Sequence, residues 1–125
     1  MMGVDEETEI RRIIMDHYHE GHVQFRPELY DEVFHEDWKF FFYNREGEFQ
    51  IVDKETYKSW YNPDEKEEGL EWHTEILSID ITEHNAAVKL KIGNQKVEFT
   101  DYFNMMKIDG KWCVVNKISS ANRFE

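Results

Sequence analysis

The sequence predicts an α+β fold, with helices packed on one face of a curved, mixed to antiparallel sheet. Three observations carry that prediction. Residues 5–25 place apolar side chains at helical spacing behind an aspartate cap. Residues 99–120, FTDYFNMMKIDGKWCVVNKISS, form two strand-like runs joined at Asp109-Gly110, a dipeptide that tolerates the positive dihedrals of a tight hairpin turn. Gly93-Asn94 gives the same signal between runs at 86–92 and 95–107.

In chain order, Asp5 is the expected cap of the first helix, and Glu6, Glu7 and Glu9 occupy its first turn, where the helix dipole favours acids. Its inward positions are Ile10, Ile13, Ile14, His17, Tyr18, Gly21 and Phe25, with Gly21 a place where another element can approach. Pro27 suits the first turn of a second, short helix carrying Leu29, Val33 and Phe34 inward, ended by His35-Glu36-Asp37. Residues 38–43 read as an aromatic strand that turns into 48–52. Asp53 caps a third helix with Tyr57, Trp60 and Tyr61 on one face, stopped by Asn62-Pro63. Residues 62–69, NPDEKEEG, are a solvated acidic connection. Residues 70–81 form a long strand whose imperfect alternation predicts a bulge and leaves the faces of Trp72 and His73 open. No repeat or linker divides residues 1–125, which read as one domain.

The pointed chemical feature is Asp101. Alternation puts it on one face with Phe99, Phe103 and Met105, a carboxyl in an apolar stripe. A two-residue turn at Gly93-Asn94 would set Leu90 opposite Val97, Val88 opposite Phe99 and the small Ala86 opposite Asp101. Outside, Lys89 would meet Glu98, and Lys91 would meet Lys96 unfavourably. The partner of Asp101 on the last strand depends on the second turn. A two-residue Asp109-Gly110 loop pairs it with Ile118 and makes Asn116 its diagonal neighbour. A three-residue loop with a bulge pairs it with Lys117, as a structural ion pair. Alternation slightly favours the first, which keeps Trp112, Val114 and Ile118 on the apolar side and Lys117 outside.

Composition narrows the function classes. Fifteen Lys and Arg against 27 Asp and Glu give a net charge of −12, which disfavours nucleic acid and anionic membranes as partners. A 40% hydrophobic and 15% aromatic content supports a packed core despite 34% charged residues. A single cysteine, Cys113, allows no internal disulfide, and the start MMGVDEETEIRR lacks the apolar core of a secretory leader. A cytoplasmic location is therefore expected. His17 and His19 fall on opposite sides of an ideal helix, and His19 with His22 lack a third ligand, so no metal is expected. Without a phosphate-binding glycine loop, a serine elbow or a zinc motif, no cofactor is expected either.

The element order, together with Tyr18-x-x-Gly21, Phe34-His35, Asp101-Tyr102-Phe103, Lys107-x-Asp109-Gly110-Lys111-Trp112 and Asn116-Lys117, resembles the nuclear transport factor 2-like (SnoaL-like) superfamily. Within it, the chain is similar to the Putative lumazine-binding family. The resemblance implies a cone-shaped, cystatin-like fold with a deep pocket between helices and sheet, and a homodimer through the sheet's outer face. That superfamily includes isomerases, dehydratases, polyketide cyclases and non-enzymatic binders, so fold alone does not choose among them.

The first expectation is a protein that binds a small apolar or aromatic molecule. Asp101, Tyr18, His35 and Asn116 would supply polar groups, and Trp38, Phe40, Phe42, Tyr57, Trp60, Trp72 and Phe103 the aromatic lining. Core packing is the plainer role for most of these rings. The alternative is an enzyme that moves protons next to a carbonyl (isomerisation, dehydration or cyclisation), with Asp101 as base and Tyr18 or His35 as donor. A third is an interaction module using the outer face of Tyr102, Asn104, Met106 and Val115.

Overall fold

The computed structural model describes residues 5–124; residues 1–4, the start of the segment read above for a leader, and residue 125 lie outside the described part. Helix α1 (Glu6–Ile13) begins at Asp5, whose carboxylate accepts from the Glu7 amide at 3.1 Å. It runs through a π-helical stretch (Ile14–His19) into α2 (Glu20–Gln24). A π-helical stretch holds more residues per turn than an α-helix. The inward stripe therefore slips by about one residue. Tyr18, Gly21 and His22 are buried, while His17, expected inside, is only partly covered. Phe25 ends α2 in the left-handed conformation, with φ of 48°.

A 3₁₀ helix (Pro27–Glu32) follows, and it buries Tyr30 rather than Leu29. The first strand starts earlier than the sequence suggests: β1 (Phe34–Tyr43) takes in His35, and β2 (Phe49–Asp53) returns beside it. Helix α3 (Lys54–Ser59) is capped by Asp53, whose carboxylate accepts from the Thr56 amide at 2.8 Å. Lys54 and Lys58 of α3 both bind Asp31 of the 3₁₀ helix, at 3.2 and 2.9 Å. Beyond it run a 3₁₀ turn (Pro63–Glu65), β3 (His73–Thr82), β4 (Asn85–Gly93), β5 (Val97–Ile108) and β6 (Lys111–Arg123).

The strands form one curved, mixed sheet in the order β2-β1-β6-β5-β4-β3. Among the described residues, only β1 and β6 pair in parallel. The bulge expected in β3 falls at Leu77, between the Ile76–Leu90 and Ser78–Lys89 pairs. Its assignment settles the open faces: Trp72 precedes the strand and packs on His22 with ring centroids 5.1 Å apart, while His73 is exposed. Glu6 ties α1 to the far end of the sheet, accepting from Lys107 and from the Trp112 indole, both at 2.8 Å.

Two registers differ from expectation. The β4–β5 loop is longer than two residues: Gly93 pairs with Glu98, and the Asn94 amide donates to the Val97 carbonyl at 2.9 Å. A side chain at position 93 would collide with that carbonyl and with the Glu98 backbone, so glycine is required. Leu90, not Ala86, therefore faces Asp101, and Ala86 faces Met105. The displacement is even, so the face assignment is unchanged: Ala86, Val88, Leu90, Val97, Asp101 and Phe103 are all buried. Outside, Glu98 meets Lys91 at 3.7 Å, and Lys89 sits over the Tyr102 ring instead.

The second difference concerns Lys117. The Asp109-Gly110 turn does hold two residues, with φ of 52° and 81°, between partners Ile108 and Lys111. A bulge at Val115 then intervenes, because Met105 pairs with Val114 but Asn104 pairs with Asn116. An odd insertion exchanges the two faces. Lys117 turns inside, Ile118 turns out, and Asp101 faces Ser119. The favoured expectation, a solitary acid with Lys117 outside, is thereby overturned.

Candidate functional site

A cavity of about 900 Å³ opens between the inner face of β5 and β6, the β1–β2 hairpin and α3. Phe40, Phe42, Trp60, Tyr61 and Phe99 line it with rings, and Arg45, Glu46 and Arg123 add charged groups. Tyr18, His22, Tyr57, Lys117 and Ser119 are polar residues of the lining. The aromatic wall is continuous: Phe40 stacks on Phe42 with centroids 4.4 Å apart, and Trp60 meets Phe42 edge-on at 6.1 Å.

Lys117, in the cavity lining, and Asp101, behind it, form a buried group. The Lys117 ammonium lies 4.0 Å from the Asp101 carboxylate, and their side chains are 4% and 0% exposed. Tyr18 bridges them: its hydroxyl donates to Asp101 Oδ2 and accepts from Lys117 Nζ at 2.9 Å. Lys117 also donates to the Tyr57 hydroxyl at 3.2 Å, and it lies 4.2 Å from the Phe40 ring centre. Burial pulls the Lys117 pKa down to about 8, and Asp101 opposes the fall. The Tyr18 and Tyr57 hydroxyls are pushed well up, chiefly by burial, so both keep their protons.

His22 extends the chain of bonds. Its Nδ1 sits 2.8 Å from the Tyr18 carbonyl, which can only accept, so Nδ1 carries the proton and also approaches the Tyr30 hydroxyl at 3.0 Å. Nε2 is then bare and accepts from the Tyr57 hydroxyl at 3.1 Å. Burial pulls the His22 pKa down to about 3, so the ring is neutral near pH 7. Two buried polar atoms on paired strand positions, Asp101 Oδ1 and Ser119 Oγ, have no hydrogen-bond partner among the described residues.

Of the residues singled out in the sequence, Tyr18, Phe40, Phe42, Tyr57 and Trp60 surround the cavity. Asp101 stands behind Tyr18 and Lys117 rather than on the cavity wall. Trp38 is fully buried and stacks on Phe34 at 4.1 Å. Phe103 lies under Tyr18, with centroids 5.0 Å apart. Trp72 covers His22, away from the lining. Asn116 accepts from Asn104 at 2.9 Å on the outer face, where the Val115 bulge sends it. The His35 ring accepts from the Asp37 amide at 3.0 Å and does not reach the cavity. Cys113 is half-buried, and burial pushes its thiol pKa up. Among the described residues no group of three or more His, Cys, Asp or Glu is placed to hold a metal, and no helix is long and apolar enough to cross a membrane.

Sequence reasoning weighed Lys117 as an ion-pair partner of Asp101 but favoured placing it outside, and it did not single out His22 for this site. The signal for Lys117 was the doublet Val114-Val115, which breaks the alternation of the last strand. His22 had no comparable signal, because the helix carries nothing in sequence that marks its π-helical stretch.

The architecture is that of NTF2-like proteins. An NTF2-like protein of unknown function from Silicibacter pomeroyi superposes with a TM-score of 0.84 at 13% identity, covering 98% of this chain and all (100%) of that one. One from Shewanella baltica gives 0.80 at 20% identity, covering 96% and 98%. One from Methylobacillus flagellatus gives 0.80 at 23% identity, covering 99% and 96%. These identities speak for the fold. The chain belongs to the Putative lumazine-binding family, which matches residues 5–120. No curated protein matches it.

Proposed function

We propose that the protein binds a small planar aromatic molecule in the cavity between α3, the β1–β2 hairpin and β6. One observation carries this reading: a ring-lined cavity of about 900 Å³ has in its lining Lys117, Tyr18 and Tyr57, which are joined by hydrogen bonds. Apolar walls with a few convergent polar groups are the common form of small-molecule sites. Asp101 serves it from behind, by holding Tyr18 and compensating the Lys117 charge.

A second reading, acid–base turnover of the bound molecule, draws support from Tyr18. Tyr18 lines the cavity and its hydroxyl is bonded to Asp101, a pairing that would let it pass a proton to a bound carbonyl. His35 has no part in that version, and the protein is then an isomerase or lyase without a cofactor.

The test is fluorescence titration with lumazine and with 2-naphthol, read at Trp60 on the cavity wall. Binding tighter than about 1 mM, lost in Phe42→Ala, is the expected result. If neither probe binds in that range, the reading is wrong.

A further inference from the structure

Lys117 has a bonding pattern that an ordinary ion pair does not need. The Tyr18 O–H is committed to Asp101, so its oxygen offers Lys117 only lone pairs. The Tyr57 O–H is committed to His22 Nε2, because the Tyr18 carbonyl fixes the ring proton on Nδ1. Both hydroxyls must therefore accept from Nζ, at 2.9 and 3.2 Å. Two N–H bonds of Lys117 are oriented in this way, and one tetrahedral position on nitrogen remains. In the ammonium form that position holds a third proton, and in the free amine it holds the lone pair.

We propose that Lys117 is a nucleophilic amine on the cavity wall that captures the carbonyl group of a planar aromatic aldehyde or ketone as an imine. The proposal rests on the ligand-binding reading above and adds a substrate class to it. The amine lone pair forms a C–N bond to the carbonyl carbon. Both nitrogen protons pass to the carbonyl oxygen, which leaves as water, and a C=N bond results. No oxidant or reductant is consumed. The phenols of Tyr18 and Tyr57, both cavity groups, are placed to relay those protons. Desolvated lysines in apolar pockets are activated in this way.

The charged and titratable groups around Nζ are consistent with it. Asp101 favours the ammonium, while burial favours the amine and prevails. Tyr18, Tyr57 and His22 are neutral near pH 7. With a pKa of about 8, roughly half of Lys117 is free amine at pH 8, against under about one per cent of an ordinary lysine.

The test treats the wild-type protein at pH 8 with limiting 2-naphthaldehyde and sodium cyanoborohydride, which reduces an imine to a stable secondary amine. Peptide mapping then locates the label. Labelling of Lys117 over exposed Lys96 and Lys111 by more than about tenfold is expected. Lys117→Arg, which keeps the cation but cannot form the imine, should lose the selective label and still fold. Labelling that follows surface exposure and spares Lys117 overturns the proposal. If the aldehyde then still quenches Trp60, the imine fails and the binding cavity stands. If it neither quenches Trp60 nor labels Lys117, both readings fall.

Discussion

Lys117 Nζ lies 4.0 Å from Asp101 Oδ2 on neighbouring strands, with the Tyr18 hydroxyl bonded to both. The two side chains are 4% and 0% exposed, so each charge depends on the other. Asp101→Asn should therefore destabilise the protein at pH 7, as should Lys117→Met. Breaking one member of such a pair costs roughly 3–5 kcal/mol. The double variant should lose clearly less than the sum of the two, because no unpaired charge remains. Chemical denaturation of all four proteins measures the coupling, and additive losses would contradict the pairing.

The same lysine predicts a pH dependence. Its folded pKa of about 8 lies below the ordinary lysine value of 10.5. Between those values the unfolded chain binds more protons, so this group's contribution makes stability rise with pH across the window. It is lost again as pH falls back through 8. Lys117→Met removes the titration, so the gap between wild type and variant should widen as pH rises from 8 to 10.5, by a few kcal/mol at most. Asp101→Asn removes the influence that holds the lysine pKa up, so the pH midpoint of reductive labelling should move below 8 in that variant.

His22 should make the fold sensitive to acid. Its pKa is about 3 when folded, against 6.5 in the free side chain. The unfolded chain therefore takes up a proton first as pH falls from 6.5, and stability declines until about pH 3. His22→Gln keeps a donor and an acceptor but does not titrate. Melting curves should show the wild type losing more stability than His22→Gln between pH 6.5 and pH 3; parallel losses would count against a buried neutral ring.

Gly21 is where the Tyr30 ring meets the first helix. A Cβ there would lie 2.5 Å from Tyr30 Cε1. That ring is held by stacking on Phe34 at 5.5 Å and by edge contact with Tyr57 at 5.4 Å, so it cannot easily withdraw. Gly21→Ala gains helix propensity but should still destabilise, by about 1–3 kcal/mol for overpacking. Thermal denaturation checks the sign.

The outer sheet face presents Tyr102, Met106, Ile118 and Leu77, each 40–50% exposed. We propose that this face pairs two copies of the chain. Light scattering should show a dimer at tens of micromolar (about the range where a micromolar dimer persists), and Tyr102→Glu with Ile118→Glu should give a monomer. A monomeric wild type at that concentration would refute it.

How much of this was legible beforehand follows from the range of each interaction. Alternation is local with a period of two, so the sequence determined that Val88, Leu90, Asp101 and Phe103 share the buried face, and an even error in the β4–β5 loop did not disturb it. The Asp5 and Asp53 caps and the Asp109-Gly110 turn were equally local. The position of Lys117 was not. It depends on one extra residue in β6 at Val115, opposite the place where the parallel pairing with β1 also slips, between Phe34 and Lys39. The strands meeting there are about seventy residues apart in the chain, and their packing selects the bulge. His22 likewise turned inward because a π-helical stretch shifted the helix phase to fit Tyr18 and Gly21 against the sheet and Tyr30. Local pattern thus placed the acid, and tertiary pairing supplied its lysine.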